Sequence, residues 1–368
     1  TLDVAVTKTF AETLRTEYDA ATGENLGALI EGGSTNLCTG SEDLSLSASW
    51  SIVRTTLTIN ASIAPDGTFS ADKIAPLATN QSHYIIISQT TVVSPSKAAV
   101  SFYVKPAGYN FFQIGSGQTS SEFATFDLQS GTISETGSGT DESDCSIKPA
   151  GNGFYRVSVS IQPSATGSVF SGAQPSGALG WQPVVAGDGT SGVYIWGAQF
   201  EALPFASSYI RTDGSAVSRS ADSLNLPSAG NFGADEYTIN AEFTTKTISS
   251  SSVYIYSIDI GGASGRVTNL ISSSKSRILT SNGADFTSGS LPLLVNDKTY
   301  SSTSTYIGGV VYGYLDNTLF GSESGGIVNG TTAINLGRSY TNISHLNGYI
   351  SKFKTYAQAL TQQEITLL

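Results

Sequence analysis

The sequence predicts an all-β chain built as two antiparallel β-sandwiches in tandem. Three observations point there. Charged residues make up only 13% of 368, against 39 Gly and 17 Tyr. That mix suits half-buried strands and tight turns, not helices rich in Glu, Lys, Arg and Leu. Apolar and polar residues alternate with period two over many short runs separated by Gly, Asp and Asn. The alternation lapses over 205–233 and then resumes, which in a chain of this length reads as a domain boundary.

The elements follow in order. Residues 1–20 mix a short alternating run with a polar tail, and are expected to form an arm that packs on another body. The stretch 27–43, "GALIEGGSTNLCTGSED", has the pattern of neither strand, helix nor catalytic loop. "SWSIVRTTLTIN" (49–60) alternates as one strand, and "APDGTFSADKI" (64–74) reads as a turn at Asp66-Gly67 feeding another. Strands are expected within 82–93, 97–108, 110–117, 121–136, 153–163 and 191–202. After the lapse, "EYTINAEFTT" (236–245) opens a second series running to "LNGYISKFKTYAQAL" (346–360). "YLDNTLF" (314–320) predicts a hairpin with Asp316-Asn317 at its tip. "TQQEITLL" predicts a short terminal helix, because Thr361 and Glu364 have capping-box spacing.

Composition excludes several functions. The formal charge of −11 repels phosphate backbones and anionic lipid, so neither nucleic-acid binding nor membrane insertion is expected. No apolar run is long enough to span a bilayer, and no signal peptide pattern opens the chain. There is no Met, even at position 1, as in a processed or truncated chain. Cys38 and Cys145 lack zinc-ligand spacing; the pair could close one disulfide, but each is read first as a small buried apolar residue.

The stretch "RTEYDAATGENLGALIEGGSTNLCTGSEDLSLSASW" (15–50) and the turn "PDGTFSADKI" (65–74) together resemble a module of bacteriophage tail-fibre, tail-spike and other virion-surface proteins. "VSFYVKPAG" (100–108), "GNGFYRVSVSI" (151–161) and "GDGTSGVYIWGAQFEALPFASSYIRTDGSAVSRSAD" (187–222) continue the same pattern in order. The resemblance implies a jelly-roll fold related to carbohydrate-binding modules. It departs at Cys38, where an aliphatic residue is usual, and at Arg211, where Pro is common. The ending "INLGRSY…LNGYISKFKTYAQALTQQEITLL" is similar to concanavalin A-like or laminin-G-like sandwiches. The expected organisation is an arm (1–20), a jelly roll (21–222) and a concanavalin A-like domain (230–368). Residues 27–43 become a structural lead-in covering an edge strand, with Leu29 and Ile30 inward, Gly32 and Gly33 turning, and Asn36 bonding nearby backbone.

The candidate chemistry is recognition, not catalysis. His83 and His345 lack metal-ligand spacing, and no nucleophile elbow is present. Acidic residues such as Asp141, Glu142 and Asp144 sit in solvated turns, and no β-helix repeat is visible. Sugar rings stack on aromatic faces and need amides and hydroxyls around them. Trp50 and Trp196 are read as core. Trp181, in a loop, is the first candidate sugar contact. Tyr109, Asn110 and Gln113 form a second patch, and Tyr306, Tyr312 and Tyr314 a third. Asp66 and Asp188 stand in turns suited to a structural calcium; no other cofactor is expected.

The resemblance implies a phage virion surface adhesion protein, a tail fibre or receptor-binding protein that contacts host cell-surface polysaccharide. It implies a homotrimer docked to other virion proteins through its arm, and repeated weak contacts would add avidity. The alternatives are a capsid decoration or head fibre without ligand, and a polysaccharide depolymerase.

Overall fold

The computed structural model describes residues 15–19, 22–46, 48–88, 97–116, 120–162, 168–177, 179–228, 230–233, 235–246, 252–259, 267–279, 285–287, 293–325, 333–339, 341 and 344–368. Most of the expected arm lies outside the described residues. The chain is nearly all β and divides into two compact units. The N-terminal unit comprises 20–22 and 34–219; the C-terminal unit comprises 1–19, 23–33 and 220–368.

In chain order the first strands are β1 (Thr16–Tyr18), β2 (Asn25–Ile30), β3 (Ser34–Asn36), β4 (Trp50–Val53), β5 (Thr55–Ser62), β6 (Ala71–Pro76), β7 (Asn80–Gln81) and β8 (Tyr84–Ser88). They continue as β9 (Ala98–Ala107), β10 (Phe111–Ser116), β11 (Phe123–Asp127), β12 (Thr132–Thr136), β13 (Cys145–Pro149), β14 (Tyr155–Ile161), β15 (Ser168–Gln174), β16 (Val185–Ala186), β17 (Gly192–Glu201) and β18 (Val217–Arg219). The rest are β19 (Leu224–Pro227), β20 (Glu236–Thr245), β21 (Val253–Asp259), β22 (Val267–Ser272), β23 (Lys275–Leu279), β24 (Asp285–Thr287), β25 (Thr299–Ile307), β26 (Val310–Leu315), β27 (Thr318–Ser324), β28 (Ala333–Leu336) and β29 (Gly348–Tyr356), then helix α1 (Gln362–Ile365).

The N-terminal unit pairs two six-stranded antiparallel sheets, ordered β12-β11-β10-β15-β8-β4 and β13-β14-β9-β17-β6-β5. Period-two alternation sends Val100, Phe102 and Val104 of β9 inward against Phe112 and Ile114 of β10. Phe102 and Phe112 meet edge-on at 5.5 Å and tie the sheets together. Cys38 is fully buried in this core and free, and burial pushes its thiol up to about 12. Cys145, half-buried and also free, packs against the same core.

The single strand expected over 49–60 is two strands. Arg54 adopts φ 50°, so the chain bends there. β4 then joins the β8 side and β5 the β6 side, in different sheets.

The C-terminal unit has a seven-stranded sheet, β1-β2-β29-β20-β25-β26-β27, and a six-stranded sheet, β19-β28-β21-β22-β23-β24. β20 spans the residues expected from the sequence, and its Tyr237, Ile239, Ala241 and Phe243 face a core shared with Ile255, Ile258, Val267 and Ile271. The β26–β27 turn has Asp316 at φ 46° and Asn317 at φ 64°, both left-handed, as the two-residue hairpin requires. Helix α1 begins with the anticipated capping box: Glu364 N–H donates to Thr361 Oγ1 (3.3 Å), and Thr361 N–H to Glu364 Oε2 (2.8 Å).

The lead-in divides between the units. Leu29 and Ile30 are buried, as expected. The edge they cover, however, is β29 of the C-terminal unit, through the pairs Ala28↔Ile350, Leu29↔Tyr349 and Ile30↔Gly348. Residues 23–33, expected within the jelly roll, are thus strand-paired into the other unit, because Ile30 finds its apolar partners there. Past Gly33 the chain enters the N-terminal unit, where β3 pairs with β18. The stretch 205–233, expected to be irregular, holds β18 and β19 and includes the crossing at 219–220.

Candidate functional site

An open cleft of about 290 Å³ lies in the N-terminal unit beside the "SED" loop. It is lined by Glu42, Asp43, Leu46, Ile59, Asn60, Asp72, Arg211 and Asp213, with Ser45, Ser70 and Thr212 between them. That volume stands at the lower end of the range for small-molecule sites, about 300–1,000 Å³.

Local bonds hold the walls in place. Asn36 fixes the approach to the loop. Its Nδ2 donates to the carbonyls of Ala198 (3.1 Å) and Ile210 (2.8 Å), and its Oδ1 accepts from the N–H of Cys38 and Phe200 (both 3.0 Å). Trp50 Nε1 donates to Gly40 O at 2.8 Å. Ser41 and Thr212 exchange hydrogen bonds, which ties the loop to 209–213. Asp72, 2% exposed, accepts from Asn60 N–H (2.9 Å) and Leu44 N–H (3.2 Å), joining two sides of the cleft.

The electrostatics are acidic, with one cation. Burial pushes the Glu42 carboxyl above its ordinary range; the Tyr209 hydroxyl (3.0 Å) and Arg211 (3.2 Å) pull it back in part, while Asp66 and Asp213 add to the rise. Burial likewise raises Asp72, its two backbone N–H donors offsetting part of the effect. The Arg211 side chain is 70% exposed, so its donors reach solvent. Leu46 and Ile59 supply apolar wall, and Phe69, next in the chain to the lining residue Ser70, is 65% exposed. Behind the cleft, Trp196 donates to Ser70 Oγ (3.1 Å) and packs on Tyr209 at 4.9 Å between ring centroids.

The arrangement suits a polyhydroxylated ligand. Carboxylates and an amide accept from hydroxyls, a guanidinium donates to them, and an aliphatic wall meets a C–H face. No histidine lines the cleft among the described residues. The "PDGTFSADKI" turn marked this region, but only as a turn; Phe69, Asp72 and Glu42 were not singled out. Their common signal was a run of polar residues in each of two motifs distant in sequence.

The residues singled out from the sequence lie elsewhere. Gln113 and Trp181 come together: Gln113 Nε2 donates to Gly180 O (2.9 Å), and its Oε1 accepts from Gln182 N–H (2.9 Å). That clamp sets the half-buried Trp181 ring against Phe123 (5.7 Å) and Phe170 (6.2 Å) over the β10–β15 surface. Tyr109 is half-buried, its hydroxyl raised by burial and by Asp188 beside it. Asn110 donates to Gln129 Oε1 at 3.0 Å. Tyr306 is buried and stacks on Tyr237, whereas Tyr312 and Tyr314 pack with Leu360 and Ile365 at the terminal helix. Tyr306 therefore does not share a patch with the other two.

Asp66 and Asp188 each close their own turn. Asp66 Oδ1 accepts from Thr68 N–H (2.9 Å), and Asp188 Oδ1 from the N–H of Thr190 (2.7 Å) and Ser191 (2.6 Å). Among the described residues no group of three or more His, Cys, Asp and Glu is placed to hold a metal ion. His83 is buried, its ring nitrogens on the carbonyls of Arg54 (2.5 Å), Thr79 (3.0 Å) and Val185 (3.3 Å). Trp50 and Trp196 are buried, as expected of core residues.

Comparison with known proteins gives the following. No curated protein matches the chain. Among solved structures, the Ruminococcus gnavus IT-sialidase CBM40 bound to alpha2,3 sialyllactose is 13% identical, with a TM-score of 0.31 over 37% of this chain and 83% of that one. Domain 4 of AbnA, a GH43 extracellular arabinanase from Geobacillus stearothermophilus in complex with arabinotriose, is 12% identical, with a TM-score of 0.34 over 40% and 71%. The native heptameric SAP-like pentraxin from Limulus polyphemus is 11% identical, with a TM-score of 0.30 over 39% and 71%. Residues 218–366, most of the C-terminal unit, match the Laminin_G_3 family model, described as the concanavalin A-like lectin/glucanases superfamily.

Proposed function

We propose that this chain is a non-catalytic glycan-contacting protein of a phage virion surface, and that the cleft beside the "SED" loop is its contact site. The cleft carries the reading: it combines hydroxyl acceptors, an exposed guanidinium and an aliphatic wall in one open cavity. The lectin-like match of the C-terminal unit supports glycan recognition as the class of activity. The sequence resemblance over 15–222 supports the virion and the host polysaccharide. A shallow cleft gives weak contact per copy, which a homotrimeric fibre would multiply.

The test is a host-polysaccharide array followed by titration calorimetry on the full chain. Binding should fall at least tenfold in Ile59→Ala/Asp213→Ala, since both side chains are exposed at the cleft, with the melting temperature unchanged. Silence across host glycans would favour the decoration reading.

One observation favours a depolymerase: Glu42 and Asp72, both raised, share the cleft. Against it, Glu42 is engaged by Tyr209 and Arg211, and Asp72 by two backbone N–H groups. Release of reducing ends that Glu42→Gln abolishes would establish the enzyme instead.

A further inference from the structure

We infer that the outer edge of β29 is a strand-acceptor site, that its occupant is residues 15–33, and that the lectin-like span 218–366 depends on that strand for its integrity. The matched span holds the acceptor but not the strand. This inference is independent of the glycan reading.

Three features make the seat specific. The first is a knob in a hole: Ile30 is 1% exposed and lies over Gly337, where an added Cβ would stand 2.5 Å from Ile30 Cδ1. The second is close backbone approach: a Cβ on Gly27 (φ 122°) would meet Ile350 O at 2.3 Å. The third is a charge clamp around Glu31, which is fully buried. Its carboxylate meets Arg15 at 3.0 Å and Lys246 at 3.8 Å, while its own N–H donates to Asp222 Oδ2 at 2.8 Å. Arg15 also donates to Asp222 through Nε at 2.9 Å, and Lys246 reaches Glu17 at 3.2 Å.

Main-chain pairing gives such a strand its hold, and the alternate pockets give it sequence preference. The segment that fits carries a small residue, two aliphatics and an acid, as in Ala28-Leu29-Ile30-Glu31. Without it, β29 presents bare N–H and C=O groups and an empty hole over Gly337, the features of an aggregation-prone edge.

The experiment keeps the full chain. A protease recognition sequence placed between Gly33 and Ser34 is cut after folding, and the products are run by gel filtration at micromolar concentration. Residues 1–33 should stay with the remainder, a labelled 15–33 peptide should exchange into the site, and Ile30→Ala should speed release at least tenfold. Release followed by a lower melting temperature or self-association of the remainder also supports the dependence. Release that leaves melting and elution unchanged would overturn it. In the uncut chain, hydrogen exchange at Ala28 and Ile30 should be as slow as in β29; exchange at the rate of an unstructured peptide would overturn it equally.

Discussion

Asn36 shows how much one side chain can hold. Its amide bridges two N–H groups and two carbonyls from separate segments, with no exposure to water. Asn36→Ala should cost about 3 kcal/mol or more in urea unfolding, because four buried backbone groups lose their partner. This role was legible in "TNL", since Asn readily bonds neighbouring backbone; its long-range partners were not, since they depend on the tertiary fold. Glu42 and Asp72 contribute to the pH response, and burial shifts Glu122 in the same direction. Their folded pKa values are raised, so the folded state favours their protonated forms. Their stabilising contribution is present at low pH and is lost as pH rises through those values. Asp127 and Glu364 are lowered by hydrogen bonds to neighbouring Ser, Gln and Thr groups, so their contribution is lost only at lower pH. Melting temperature should therefore rise as pH falls through the raised carboxyls and drop again at more acid pH, where the lowered ones take up protons. Glu42→Gln should flatten the upper limb in a melting series.

At the scale of elements, the pattern of alternation was the readable part. β20 and the Asp316-Asn317 hairpin followed from it, because each satisfies local and tertiary demands at once. The β4–β5 break was not readable: it rests on one left-handed Arg54 in an otherwise alternating run. The Trp181 loop is a similar case. The sequence shows a tryptophan among turn residues but not the Gln113 clamp or the Phe123 and Phe170 rings beneath it. Trp181→Ala should lower stability by about 2–3 kcal/mol, measured by chemical unfolding, through lost aromatic packing. Gly115→Ala should disturb the same loop, since the new methyl would stand 2.3 Å from the Trp181 ring. If Trp181→Ala instead left stability intact and abolished glycan binding, the contact site would be this loop and not the cleft.

For the whole molecule, two sandwiches were legible, but the path of the chain between them was not. Composition and the lapse near 205–233 speak to fold class and domain number. Strand pairing across the full length has no local signature, so β2 gave no hint that its partner is β29. Ile30→Ala and Asn36→Ala, close in sequence, fall in different units. Calorimetry should show each lowering a different melting transition, Ile30→Ala by about 2–4 kcal/mol of unit stability.

The placement of β2 also governs the order of events at the ribosome. Ile30 is made well before its partner Gly348, which emerges roughly 300 residues later. At about 5–20 residues per second, the early strand waits on the order of 15–60 s for its place. During that interval Leu29 and Ile30 lack their strand partner, so the yield of intact protein from translation is expected to hinge on chaperone capture of this early strand.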